Sequence, residues 1–168
     1  MSEAPTMLFV ALTSVAARQT VNNAHFLLEH QVPVAILTAE PMPFHELELD
    51  ERVQLIDLTR EEVASVLHRG KRQLVRLRSL GLPGRAVNAA GHQAYKIARP
   101  LVLWRAAEKT LSRHLSMAQV AQVVLADAHA VPLGWHLGRA HPDLSIVFSL
   151  DRSAYAEPAP ERPESSQV

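Results

Sequence analysis

The sequence predicts an α/β domain built on a doubly wound, Rossmann-like sheet of five parallel strands in the order 3-2-1-4-5, with helices on both faces. Three observations carry this. Short, continuously apolar runs recur along the chain, as strands buried on both faces require. Helical stretches alternate with those runs, the pattern of right-handed crossovers in a parallel sheet. The 168 residues, 48% hydrophobic and 20% charged, suit one domain with one core.

The elements follow in order. The run Met7–Thr13 is the first strand. Ser14 to His30 is a helix with Ala17, Val21, Ala24, Leu27 and Leu28 on one face, and Ser14 as its N-cap. Val32–Thr38 is the second strand, with Pro33 at its start, where a missing donor is tolerated. Residues 39–51 form a loop in which Pro41 and Pro43 bar regular structure. Val53–Leu58 is the third strand. Thr59, followed by Glu61 and Glu62, starts a helix that runs to about Leu80 and stops at Gly81-Leu-Pro-Gly84. A second helical stretch, Arg85 to Leu115, is divided or kinked at Pro100. Ala121–Ala126 is the fourth strand, Val131–Arg139 a short helix with Pro132 in its first turn, and Leu144–Leu150 the fifth strand. Residues 1–152 form the domain. The tail 153–168, with three Pro, three Glu and three Ser, has too little apolar surface to offset the entropy of ordering and is expected to be disordered.

Composition narrows the chemistry. With no cysteine there are no disulfides and no cysteine-ligated metal. The start of the chain does not have the pattern of a secretion signal, and the expected location is the cytoplasm, at or near the inner membrane face. Formal net charge is zero, yet residues 60–113 hold twelve Lys and Arg against three Asp and Glu, so this stretch carries +9 and the remainder −9. Arg99, Arg105, Lys109 and Arg113, with Trp104 among them, are the expected face toward an anionic membrane surface or an acidic partner; the alternative is a sheet-covering helix with solvated arginines. No readout motif accompanies the arginines, so nucleic acid is not an expected partner.

In such a sheet ligands lie beyond the carboxyl ends of the strands, where the strand order reverses, here between strands one and four. Asp127 and His129 follow strand four. An imidazole close to a carboxylate acts as a base or orients a hydroxyl; the other reading is that Asp127 caps the next helix and His129 is a rim residue. Ser14 and Arg18, in the turn after strand one, are the candidates for holding an anion, against a reading as a cap and a solvated arginine. Asp151 and Arg152 join them from the end of strand five. The turn after strand one lacks glycine, which argues against an NAD or FAD site, and no cofactor is expected. His129, His136 and His141 fall within thirteen residues but complete no recognised metal spacing, so no metal is expected.

The stretch Val123-Val-Leu-Ala-Asp-Ala-His-Ala-Val-Pro-Leu-Gly-Trp-His-Leu-Gly-Arg139, followed by His141-Pro-Asp-Leu-Ser-Ile-Val-Phe-Ser-Leu-Asp151, resembles the N-terminal domain of GT-B glycosyltransferases of the family-4 type. The resemblance spans about residues 7–152. It implies that the turn after strand four and the first strand–helix loop face acceptor and donor across an interdomain cleft, which singles out His129 and Asp127 and, more weakly, Ser14 and Arg18. It implies that the helix Arg99–Arg113 faces the membrane or a lipid-linked acceptor. The family's glycine-rich first loop is absent here. The chain ends where the family's second, donor-binding domain would begin, so the expectation is an acceptor-side half that is inactive without a partner half. The alternative is a non-catalytic module that self-associates or docks through the basic helices of residues 60–113.

Overall fold

The computed structural model describes residues 5–59 and 103–155. The sheet has five parallel strands: β1 (Thr6–Val10), β2 (Val34–Thr38), β3 (Gln54–Asp57), β4 (Val120–Leu125) and β5 (Ser145–Val147). Their order is β3-β2-β1-β4-β5, as the apolar pattern predicts. The helices are α1 (Ala17–Glu29), α2 (Met42–Glu46), α3 (residues 103–114) and α4 (Val131–Ala140). The helix expected from Thr59 to Leu80 and the first part of the stretch 85–115, Arg99 included, lie outside the described residues.

Side chains alternate across a strand, and both sides of β1 are buried. Leu8 and Val10, with Leu12 just beyond the strand, pack with Ala35, Leu37, Ile56, Val123 and Leu125 against Leu103, Ala107 and Leu111 of α3 and Leu133 and Leu137 of α4. Met7 and Phe9, with Ala11, face the other way. With Val34, Ile36 and Val124 they meet Ala17, Val21, Ala24, Leu27 and Leu28 of α1 and Phe44 of α2. A strand enclosed on both faces has no solvent side to be polar, which is why the run from Met7 is continuously apolar. Register follows: Phe9 pairs with Ile36 on one side and Val124 on the other.

Several boundaries differ from the sequence-based expectation. The strands are shorter, because the apolar runs continue past the hydrogen-bonded ladder into the loops; β5 keeps only Ser145–Val147, and Phe148 is 71% exposed. The segment 39–51 is not all loop. Pro41 stands at the N-cap of α2 and Pro43 in its first turn, where no intrahelical donor is needed, and Phe44 anchors the helix in the core. Ser14 is not an N-cap. Residues 14–16 form a short 3₁₀ turn whose N-cap is Thr13, and α1 starts at Ala17. At the other end, residues 153–155 do not belong to a structureless tail: Arg152–Tyr155 is a 3₁₀ turn. Tyr155 sits edge-on to Phe26 with centroids 6.2 Å apart, and its partial burial raises the phenol pKa above the usual value.

α1 and α2 both end without glycine. Gln31 (φ 59°) and Glu48 (φ 52°) take the left-handed conformation just past each helix. Val32 N–H then donates to Leu27 O at 2.9 Å and Leu49 N–H to Phe44 O at 3.4 Å, the bonds of a Schellman ending.

Candidate functional site at the carboxyl edge

The strands point their carboxyl ends at one edge, and the loops there are tied to each other. Ala126 N–H reaches Val10 O at 2.9 Å and Ala11 N–H reaches Leu37 O at 3.0 Å, one bond just beyond the strand end in each case. Asp127 then uses both carboxylate oxygens. Oδ1 accepts from the backbone N–H of His129 (2.9 Å) and of Ala130 (3.1 Å). Oδ2 accepts from the N–H of Thr13 (2.8 Å) and from its hydroxyl (3.2 Å). The carboxylate therefore caps the turn before α4 and clamps the loop after β1 to the loop after β4. On the neighbouring side Ser14 N–H donates to Glu40 Oε2 at 2.9 Å, a second carboxylate bridge, between the loops after β1 and β2. His129 is half-buried on the rim, and among the described residues its ring has no hydrogen-bond partner.

Beside this clamp lies a cleft of about 480 Å³, between the 3₁₀ turn with the first half of α1 and the segment after β5. Its lining is Val15, Arg18, Gln19, Asn22 and Asn23 from the one, and Ser149, Leu150 and Arg152 from the other. Positions 15, 18, 19 and 22 recur at helical spacing and form one face. Arg152 is fixed from two sides. Its Nε and Nη2 donate to Asn23 Oδ1 at 3.2 and 2.7 Å, and its guanidinium lies 4.9 Å from the Phe26 ring centroid. Deeper, against Phe9 and Val124 of the sheet, a small chamber of about 30 Å³ shares Gln19, Asn23 and Ser149 with the cleft. Thr20 also lines it, with its hydroxyl buried and without a partner among the described residues.

Of the residues singled out in the sequence, the structure brings Arg18 and Arg152 to this cleft. Ser14, Asp127 and His129 stand on the adjoining loops and do not line it. Asp151 is engaged in its own turn: it accepts from the hydroxyl and N–H of Ser153 at 2.6 and 2.9 Å, and these bonds hold its carboxyl below the usual carboxylate range. The sequence reading missed Gln19, Thr20, Asn22, Asn23 and Glu40. A signal was present in Thr20, Asn22 and Asn23, three weak helix formers inside an otherwise regular amphipathic helix.

On the opposite face of the sheet, Trp104 is half-buried. It packs against the core and stacks on His136, with centroids 3.6 Å apart. Trp135, 56% exposed, is the outward indole, with the Arg139 guanidinium 4.8 Å from its centroid. Arg105, Lys109 and Arg113 are exposed on α3. No helix among the described residues is long and apolar enough to cross a membrane. Among the described residues, no three His, Asp or Glu side chains converge as a metal set.

The fold and its cleft define a parallel α/β domain of Rossmann-like topology with a polar site at the carboxyl edge. Compared with known proteins, the chain matches no family model, no curated protein and no solved structure.

Proposed function

We propose that this chain is the acceptor-side half of a sugar-transfer enzyme and works with a separate donor-binding half. The observation that carries the reading is the cleft at the carboxyl edge, where Gln19, Asn22 and Asn23 face Ser149 and Arg152 across a space of about 480 Å³. Side-chain amides present both donors and acceptors, which is what a polyhydroxylated ligand requires. The volume is that of a small-molecule site, and the position beside the reversal of strand order is where open parallel sheets hold ligands. Fold alone supports many chemistries, so the weight rests on this lining. Two apolar side chains, Val15 (91% exposed) and Phe148 (71% exposed), border the cavities and supply the contact area a second half would cover. In this reading His129 takes the proton of the acceptor hydroxyl when the halves meet, and Asp127 positions it through the backbone.

The test has two parts. Titration of the labelled chain with monosaccharides and polyols, followed by amide resonances, is expected to move residues 15–23 and 149–152. Incubated alone with nucleotide sugars, the chain is expected to transfer nothing; with the donor-binding half it turns over, and His129→Ala slows that turnover. Silence of the cleft resonances toward every hydroxylated ligand overturns the reading. A stable self-assembled form that ignores cleft substitutions would favour an interaction module built on the exposed face of α3 instead.

A further inference from the structure

We infer that the ligand of this cleft carries a phosphate group on a hydroxylated body, with the phosphate between Arg18 and Arg152 and one hydroxyl seated against Thr20. The inference rests on the acceptor-side reading of the cleft and adds the chemical class of what it holds.

Charge comes first. Among the described residues, two arginines line the cleft and no carboxylate does. The nearest acidic residue in sequence, Asp151, is occupied by Ser153. The group that immobilises Arg152 is the neutral amide of Asn23, so the guanidinium is oriented without its charge being cancelled. Its bonds to Asn23 use two of five N–H donors; the remaining three form part of a planar fork suited to phosphate oxygens. Contact with the Phe26 ring removes further freedom, so little side-chain entropy is lost when an anion arrives. Arg18, one helical turn from Asn22 on the same face of α1, supplies the second charge.

The body of the ligand is read from the chamber below. Thr20 is 1% exposed, and among the described residues its hydroxyl has no partner. A buried hydroxyl left unpaired is unfavourable, and the surrounding 30 Å³ is room for one water or one ligand hydroxyl. Gln19, Asn23 and Ser149 belong to both spaces, so the chamber adjoins the cleft and one ligand can occupy both. Thr110 of α3 is the other described threonine with a buried, unpartnered hydroxyl; it lines neither space and serves as a control.

The experiment is calorimetric titration of the full chain with inorganic phosphate, glucose and glucose 6-phosphate. Glucose 6-phosphate is expected to bind about tenfold or more tighter than either fragment, the increment of one charged hydrogen-bonded contact. Arg18→Ala is expected to weaken both phosphate-bearing ligands about tenfold, and Arg152→Lys, which keeps the charge and loses the fork, to weaken them by a similar factor. Thr20→Val should raise the melting temperature of the free protein, weaken glucose 6-phosphate several-fold and leave inorganic phosphate unchanged; Thr110→Val should raise the melting temperature alone. If glucose binds as tightly as glucose 6-phosphate, the phosphate inference falls while the acceptor-side reading stands. If no ligand binds, both fall. Phosphate affinity indifferent to both arginine substitutions overturns the assignment of the site, and glucose 6-phosphate affinity indifferent to Thr20→Val overturns the hydroxyl seat.

Discussion

Asp127 and Thr13 stand 114 positions apart in the chain, and the carboxylate of the first accepts both the N–H and the hydroxyl of the second, at 2.8 and 3.2 Å. This bond pair spans the two central strands at the point where strand order reverses. It fixes how the loop after β1 leaves the sheet, and therefore where α1 and its Arg18 begin. The other oxygen of the same carboxylate caps the turn before α4, so one side chain sets the position of both loops that flank the candidate site.

Replacing Asp127 should therefore cost stability, and asparagine should not rescue it. Every contact the carboxylate makes is with a donor, two at each oxygen. An asparagine must turn its NH₂ toward one of those pairs: toward His129 and Ala130 it meets two N–H donors, and toward Thr13 it still meets the N–H, with only the hydroxyl able to rotate and accept. We expect Asp127→Asn and Asp127→Ala to lower unfolding free energy by similar amounts, about 1–3 kcal/mol, from the loss of a cap and of part-buried bonds. Urea denaturation measures this; an asparagine variant as stable as the parent would show that the carboxylate is not needed as a double acceptor.

Gly134 is the second test. It lies inside α4, where alanine would ordinarily favour the helix by about 1 kcal/mol over glycine. Here a Cβ would collide with Cδ1 of Leu125, which is 4% exposed and packed in β4. Overpacking should win, and Gly134→Ala is expected to destabilise by about 1–3 kcal/mol. Gly138→Ala, four residues on, meets only Ile146 Cδ1 at 3.3 Å on a half-buried side chain and should be close to neutral. Chemical denaturation of the two variants side by side separates close helix–sheet approach from helix propensity.

How much of this was legible beforehand follows from which physical signals are local. Burial on both faces writes itself into consecutive apolar residues, so Met7–Val10, Val34–Thr38 and Val120–Leu125 could be found and ordered. Helix ends were harder where glycine is absent: Gln31 and Glu48 adopt the left-handed conformation that usually advertises itself as glycine, so nothing in the sequence announced that 42–46 would close as a helical turn. Arg18 and Arg152 could each be named as ends of strand-following loops. That both would line one cleft, with Arg152 held by Asn23, could not, because it depends on the path from Phe148 to Tyr155, which lies across the expected start of disorder at Ser153. Asp127 could be read either as a chemical group or as a cap, and its partner Thr13 was invisible because contacts across 114 positions leave no periodic trace.

A pH dependence follows at Asp50. Arg52 Nε and Nη2 grip both oxygens at 3.0 and 2.8 Å, and the Arg52 backbone N–H adds a bond at 2.9 Å. The side-chain bonds contribute most to lowering the carboxyl from its ordinary value of 3.8 to about 2. A carboxyl lowered on folding stabilises the fold above its unfolded value, and that contribution fades as pH falls from near 4 toward 2. The pair is exposed, so salt should weaken it. Side-chain carboxyl NMR titration should place Asp50 near the low value, and Arg52→Ala should return it only partway, because the backbone bond survives.

The last prediction concerns Asn23, whose amide oxygen holds Arg152 without neutralising it. Asn23→Asp keeps the shape and offers the same guanidinium a carboxylate, so the Nε and Nη2 bonds become those of an ion pair and shorten. The fold should be at least as stable at neutral pH. That gain should be lost as pH falls through the new residue's lowered pKa, since a protonated carboxyl no longer pairs with the arginine. One of the two positive charges that line the cleft is then paired, and phosphate-bearing ligands must compete with a fixed anion already on the fork. Affinity for inorganic phosphate and glucose 6-phosphate is expected to drop about tenfold or more, the scale of one charged contact, while thermal stability holds. Calorimetry and thermal melts on one preparation check both halves. Unchanged phosphate affinity in Asn23→Asp would mean that Arg152 serves only to fasten the chain after β5 onto α1.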